Sequence, residues 1–165
     1  MGLRRKRPFE RLKRGGFRVN LDPDEREVLL GLLGQMRDLL VAAPADTPHL
    51  RRLFPTAYPT DPEADAEYQR LMREELVGSR LAAMETVSAV LDPAAAPREV
   101  TAGDLTALMT SMNSLRLVLG TICNVGEDDD LAGVTPEHPQ FAELQAYGYL
   151  SYLVDACVDA LSADL

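Results

Sequence analysis

Asn113 and Arg116 are the most pointed polar pair in the chain. They stand three residues apart in an apolar, helix-forming stretch, so they are neighbours on one helix surface. An arginine in that position has two uses. It can bond a carboxylate on a neighbouring helix, with Glu74, Glu75 and Asp155 as candidates, or it can line a pocket for an anion or a partner. Cys123 and Cys157 each fall late in a helical segment. Packed side by side, those segments would let the thiols act as a redox pair; otherwise both cysteines fill core. Carboxylate pairs able to exchange protons occur at Glu74-Glu75 and at Asp155 with Asp159, on what reads as helix surface. No nucleophile has a base near it in sequence, so no catalytic residue is assigned and a non-enzymatic role is expected.

The phosphate-binding, dinucleotide-binding, nucleophile-elbow, zinc-protease and paired-cysteine signatures are absent. His49 and His138 lie near prolines in predicted loops without clustered cysteines, so no metal and no cofactor is expected. The acidic run from Asp128 invites comparison with a calcium loop. Asp130 and Gly133 fit its third and sixth positions, but Ala132 and Pro139 fail the fifth and twelfth, so a solvated loop is expected. Val100-Thr101 followed by Asp104-Leu105 resembles the start of a DNA-reading helix. That helix presents Asp104, Thr106 and Thr110 and no cation before Arg116, which disfavours direct nucleic-acid binding.

These residues must be positioned by helices. The 165 residues fit one domain, 1–165, with 46% apolar, 26% charged and only 5% aromatic content and no Trp. Leu, Ala, Val and Met must fill the core, which suits helices better than sheets. Two cysteines make no disulfide framework, so a reducing cytoplasm is expected. No apolar run nears the roughly 18 residues of a membrane span. No apolar segment follows the basic N-terminus as a secretory signal requires, and Lys6 stands where a myristoylation signal needs Ser or Thr. The net charge of −9 is uneven: residues 1–20 carry +7 and the remainder −16. A basic arm on an acidic body meets an anionic partner or folds back on its own body.

In chain order, residues 9–20 read as a hairpin with Gly15-Gly16 as a two-residue turn. Asp22, Pro23 and Glu25 open the first helix with a capping box, and Val28, Leu29, Leu32, Leu33, Met36, Leu39 and Leu40 follow as a heptad-like stripe. Such a seam is bundle core or a self-association surface, which leaves a homodimer open. Residues 44–62 are a proline-rich connector carrying the doublet Arg51-Arg52. Asp61-Pro62 starts a helix to about residue 76, and a second from Ser79 to Leu91 either follows it or continues it. Thr101 caps the helix to about Gly126 on which the chain is centred, with Leu105, Leu108, Met109, Met112, Leu115, Leu119 and Ile122 on its apolar face. A last helix runs from about Pro139 to Ala163. The expected fold is all-α, a bundle of four to five main helices with a short N-terminal β-hairpin.

RRLFPTAY, DPEADAEYQRLMREEL, VTAGDLTALMTSMNSLRLVLG and the Tyr-rich final helix together resemble an actinobacterial family classed as a domain of unknown function. The likeness covers nearly the whole chain and is most specific at Asn113 to Gly120. The resemblance implies genes beside the Clp-protease adaptor and sulfur assimilation. In some members it implies an oxidative-stress transcriptional regulator that binds a sigma factor. The family's redox idea is linked to closely spaced N-terminal cysteines, and Arg4 to Leu12 contains none, so thiol sensing here falls to Cys123 and Cys157. The expectation is therefore a non-enzymatic cytoplasmic regulator working through protein contacts, with a sigma factor or a Clp-system component as partner. Arg4, Arg5, Arg7, Arg51 and Arg52, with Asn113 and Arg116, are the candidate contact residues. The alternative is a small-ligand binder or enzyme with its pocket at Asn113 and Arg116.

Overall fold

Three sequence signals for helix starts are all realised in the computed structural model, which describes residues 6–44, 46–95, 99–127 and 131–163. Asp22 accepts from the Glu25 amide at 2.8 Å while Glu25 accepts from the Asp22 amide, opening α1 (Pro23–Ala42). Asp61 caps α2 (Pro62–Leu91) through the Ala64 amide at 3.0 Å. Thr101 and Asp104 form the second capping box, at the head of α3 (Ala102–Ile122). The last helix, α4, spans Phe141–Ser162. Short 3-10 turns occupy Pro48–Leu50, Pro93–Ala95 and Leu131–Gly133.

The fold is the expected helical bundle with an N-terminal hairpin, and four helices build it. The stretch read as one or two helices between residues 62 and 91 is one helix of 30 residues. No proline interrupts it, and a lone Gly78 costs a helix only about 1 kcal/mol. Leu76, Val77 and Leu81 around it pack on the core and hold the helix together. The α3 helix stops at Ile122, short of the expected Gly126. Asn124 adopts a left-handed φ of 53°, the Val125 amide donates back to the Gly120 carbonyl, and the Asn124 amide donates to Thr121. These reversed bonds satisfy the final carbonyls and end the helix.

The hairpin gains a third strand. β1 (Phe9–Arg11) pairs antiparallel with β2 (Phe17–Val19), and β2 pairs antiparallel with β3 (Glu99–Val100). Phe17 sits opposite Val100. The turn is a three-residue loop, Lys13-Arg14-Gly15, closed by Leu12 and Gly16, in place of the expected two-residue turn at Gly15-Gly16. Both glycines have positive φ, and a side chain on Gly16 would come within 3.2 Å of the Val100 carbonyl. The sheet approaches residue 16 too closely for anything larger.

One core runs through the bundle. Leu105, Leu108, Met112 and Leu115 of α3 meet Leu29, Leu33, Met36 and Leu40 of α1, Met84, Val87 and Leu91 of α2, and Leu150, Leu153 and Cys157 of α4. Phe9, Phe17 and Val19 join it from the sheet. The chain is organised around α3, which packs on all three other helices. Among the described residues, no helix is long and apolar enough to cross a membrane.

Candidate interaction surface

The strand period decides which hairpin residues reach water. Phe9, Phe17 and Val19 point inward, and Glu10, Arg18 and Glu99 point outward. Arg18 pairs with Glu10 at 3.6 Å and Arg14 with Glu99 at 3.9 Å; in both pairs the side chains are largely exposed, so they contribute little to stability. Lys6, Arg7, Lys13 and Arg14 are exposed, and the Arg11 guanidinium lies 5.6 Å from the centre of the Phe17 ring. Asn20 ties down the incoming chain by donating from its side chain to the Arg7 carbonyl at 3.0 Å, while its amide donates to Pro8. The candidate contact residues Arg4 and Arg5 lie outside the described residues. Behind the strands, a cleft of about 350 Å³ places Arg7 and Arg11 across from Tyr152, Asp155 and Asp159 of α4. The arm is thus a fixed part of the core, with one edge facing acids of its own body.

Arg51 and Arg52 part ways. Arg51 is exposed and lines a cleft of about 580 Å³ with Asp46, Phe54, Asp65, Arg70 and Arg73. There Arg73 lies 4.4 Å from the centre of the Phe54 ring, a cation–π contact. Arg70 is held by Glu67 through two hydrogen bonds of 2.7 and 3.0 Å, which lowers the Glu67 carboxyl below its ordinary range. Asp65 is occupied by the Ala57 and Tyr58 amides. Three arginines and two acids line this cleft, and one of the arginines, Arg70, is already held by Glu67. Arg52 turns inward instead. It donates to the Val125 carbonyl at 2.8 Å, and it lies with the Tyr147 ring against the face of Gly120. Arg52 is therefore a clamp on the end of α3.

Asn113 and Arg116 are half-buried and satisfy each other, Arg116 donating to the Asn113 side-chain oxygen at 2.7 Å. The expected bond to Glu74, Glu75 or Asp155 is not made. Neither residue lines either cleft described above. Two other arginines turn inward, Arg26 fully buried and Arg80 half-buried. Arg26 is 4% exposed and donates to the carbonyls of Leu21, Val90 and Val19 at 3.0, 3.0 and 3.2 Å. Arg80 donates to Ser114 Oγ at 2.7 Å and to the Leu53 carbonyl at 3.1 Å. Burial pushes both guanidinium groups down from their ordinary value. A signal for both exists in the sequence. Arg26 continues the buried series Leu29, Leu33, Met36 and Leu40 one step back, and Arg80 does the same for Met84, Val87 and Leu91.

Cys123 and Cys157 are both free thiols. The start of α4 packs beside the end of α3: Gln140 donates to the Ile122 carbonyl and Tyr147 covers Gly120. The two helices are therefore antiparallel. Cys157 lies ten residues beyond Tyr147, about 15 Å further along α4 at 1.5 Å per residue. The redox pairing of Cys123 with Cys157 is thus corrected; each belongs to a different end of the bundle. Burial, with Glu143 second, raises the Cys123 thiol, and burial raises Cys157 from an ordinary 9.0 to about 12. Thiols kept protonated in this way are poor nucleophiles.

The same burial makes stability depend on pH. Cys157 is raised in the folded state, so its contribution is whole below the ordinary value of 9.0 and declines as pH climbs towards 12. Tyr149 is also raised, by burial first and then by its 2.8 Å bond to Glu25, and adds to the loss above its ordinary value of 10.0. The urea midpoint should stay flat through neutral pH and fall above about pH 9. The variant Cys157→Val should flatten the first part of that fall; an unchanged slope would contradict the assignment.

Among the described residues, no three His, Cys, Asp or Glu side chains gather as a metal would need. Of the acidic run compared with a calcium loop, residues 128–130 lie outside the described residues, and Leu131–Gly133 forms a 3-10 turn. A family model described as DUF2017, domain of unknown function, matches residues 6–161. No curated protein and no solved structure matches the chain.

Proposed function

The chain belongs to the DUF2017 family, and we propose that it is a non-enzymatic regulatory protein of the cytoplasm that works by binding another protein through its basic hairpin. The setting follows from the resemblance: an actinobacterial stress-linked regulator, encoded near the Clp-protease adaptor, whose partner is a sigma factor or a Clp-system component. One observation carries the reading. The hairpin is anchored by Phe9, Phe17 and Val19 in the core, so the exposed cations at Lys6, Lys13 and Arg14 are carried by a preorganised element. A partner with an acidic patch would be steered onto that element in spite of the acidic body. The ligand-binding reading at Asn113 and Arg116 draws no support from the geometry, because the two groups occupy each other.

Deleting residues 1–20 is not a usable test, since it removes three core side chains along with the charge. The double variant Lys13→Glu, Arg14→Glu changes two exposed turn residues and spares the core. Tagged wild-type protein should capture a sigma factor or Clp component from lysate of the source cells. The double variant should lose most of that capture while keeping the wild-type circular dichroism. Equal capture by both proteins would sink the hairpin as the contact surface. Capture dominated by nucleic acid, with a steep salt dependence, would replace the reading by a phosphate-binding one.

A further inference from the structure

We propose that two copies of this chain associate through the groove between α1 and α2. The groove encloses about 690 Å³. On α1 it is lined by Leu30, Gly34, Arg37 and Val41, in helical steps of four, three and four. On α2 the matching series is Gly78, Ala82 and Glu85, again one helix face, with Leu81 beside it. A helix pair that presents two such stripes side by side forms the seat for further helices.

Three features select a second copy as the occupant. The backbone is open where approach must be closest: a Cβ added at Gly34 or Gly78 would meet nothing within 4 Å. The rim carries an exposed apolar side chain, Val41, at 68% exposure. The groove also holds one cation and one anion, Arg37 and Glu85, both exposed and neither in an ion pair among the described residues. A two-fold axis across the groove brings Arg37 of one copy to Glu85 of the other and repeats the contact in reverse, as a self-complementary patch requires. Beyond residue 20 the body carries −16, so two acidic bodies repel, whereas the groove's own charges cancel and let them approach there.

The test uses the full chain in sedimentation equilibrium over a concentration series. The wild type should be a reversible dimer. Gly34→Arg and Gly78→Arg should each shift it to monomer while the helical signal and melting temperature hold, because the monomer has room for the new side chain. Arg37→Glu and Glu85→Arg should each weaken the dimer by about tenfold, and the two together should restore it. A wild type that stays monomeric up to its solubility limit overturns the proposal. So does a dimer untouched by both glycine variants. A double charge swap no tighter than the single variants overturns the Arg37–Glu85 pairing.

Discussion

Replacing Arg26 by alanine is expected to destabilise the protein by about 3 kcal/mol, through three buried carbonyls that lose their donor and the packing of the side-chain stem. The side chain donates to Leu21 and Val19, which lead from the sheet into α1, and to Val90, in the last turn of α2. All three carbonyls lose a donor at once, and a buried acceptor without a partner costs about 1–3 kcal/mol. No carboxylate shares the site, so relief of the desolvation of a lone buried charge offsets part of that loss. Arg26→Met keeps the apolar stem and should recover only the packing part of the loss. At 165 residues, a loss of this size should lower the melting temperature by about 10 °C. A methionine variant as stable as wild type would show that water or rearrangement replaces all three bonds.

The second large effect is at Gly120. An added Cβ would lie 2.8 Å from the Arg52 guanidinium and 2.9 Å from the Tyr147 ring. Alanine gains about 1 kcal/mol of helix propensity over glycine and so hides part of this clash. Valine exposes it, because two further carbons enter the same space. Gly120→Val should cost about 3 kcal/mol, by overpacking and by displacing Arg52 from the Val125 carbonyl. Urea denaturation measures it. Removing Tyr147 in the same chain should cost less than the two changes measured apart, since the ring is the obstacle. Strict additivity would place the strain elsewhere.

Much of the fold is legible in the residues. The caps at Asp22, Asp61 and Thr101 are local chemistry, and local chemistry can be read along the chain. The α1 stripe is also legible, but its edge is not: Val28 fits the period and yet is 57% exposed, while Arg26 takes the buried place. Hydrophobicity alone ranks those two residues the wrong way round. Helical register ranks them correctly, since Arg26 falls in step with Leu29, Leu33, Met36 and Leu40. The third strand is hidden for a different reason. Glu99–Val100 is too short to show a period, and its partner is distant in sequence. The doublet at residues 51 and 52 reads as one basic feature. Its two members diverge because one faces water and the other reaches the carbonyl left at the end of α3.

The sheet also sets the order in which the chain can be completed. Phe9, Phe17 and Val19 are among the first core residues to be synthesised, but the strand that locks them, Glu99–Val100, follows both α1 and α2. Two strands alone are marginal in water. Until residue 100 has emerged, the hairpin's three apolar side chains lack their final cover, and closing that long loop is slow compared with forming the helices. The most basic segment of the chain thus waits, incompletely packed, beside a growing acidic body. Attraction between the two holds the early segment near its eventual seat while the rest of the chain is made.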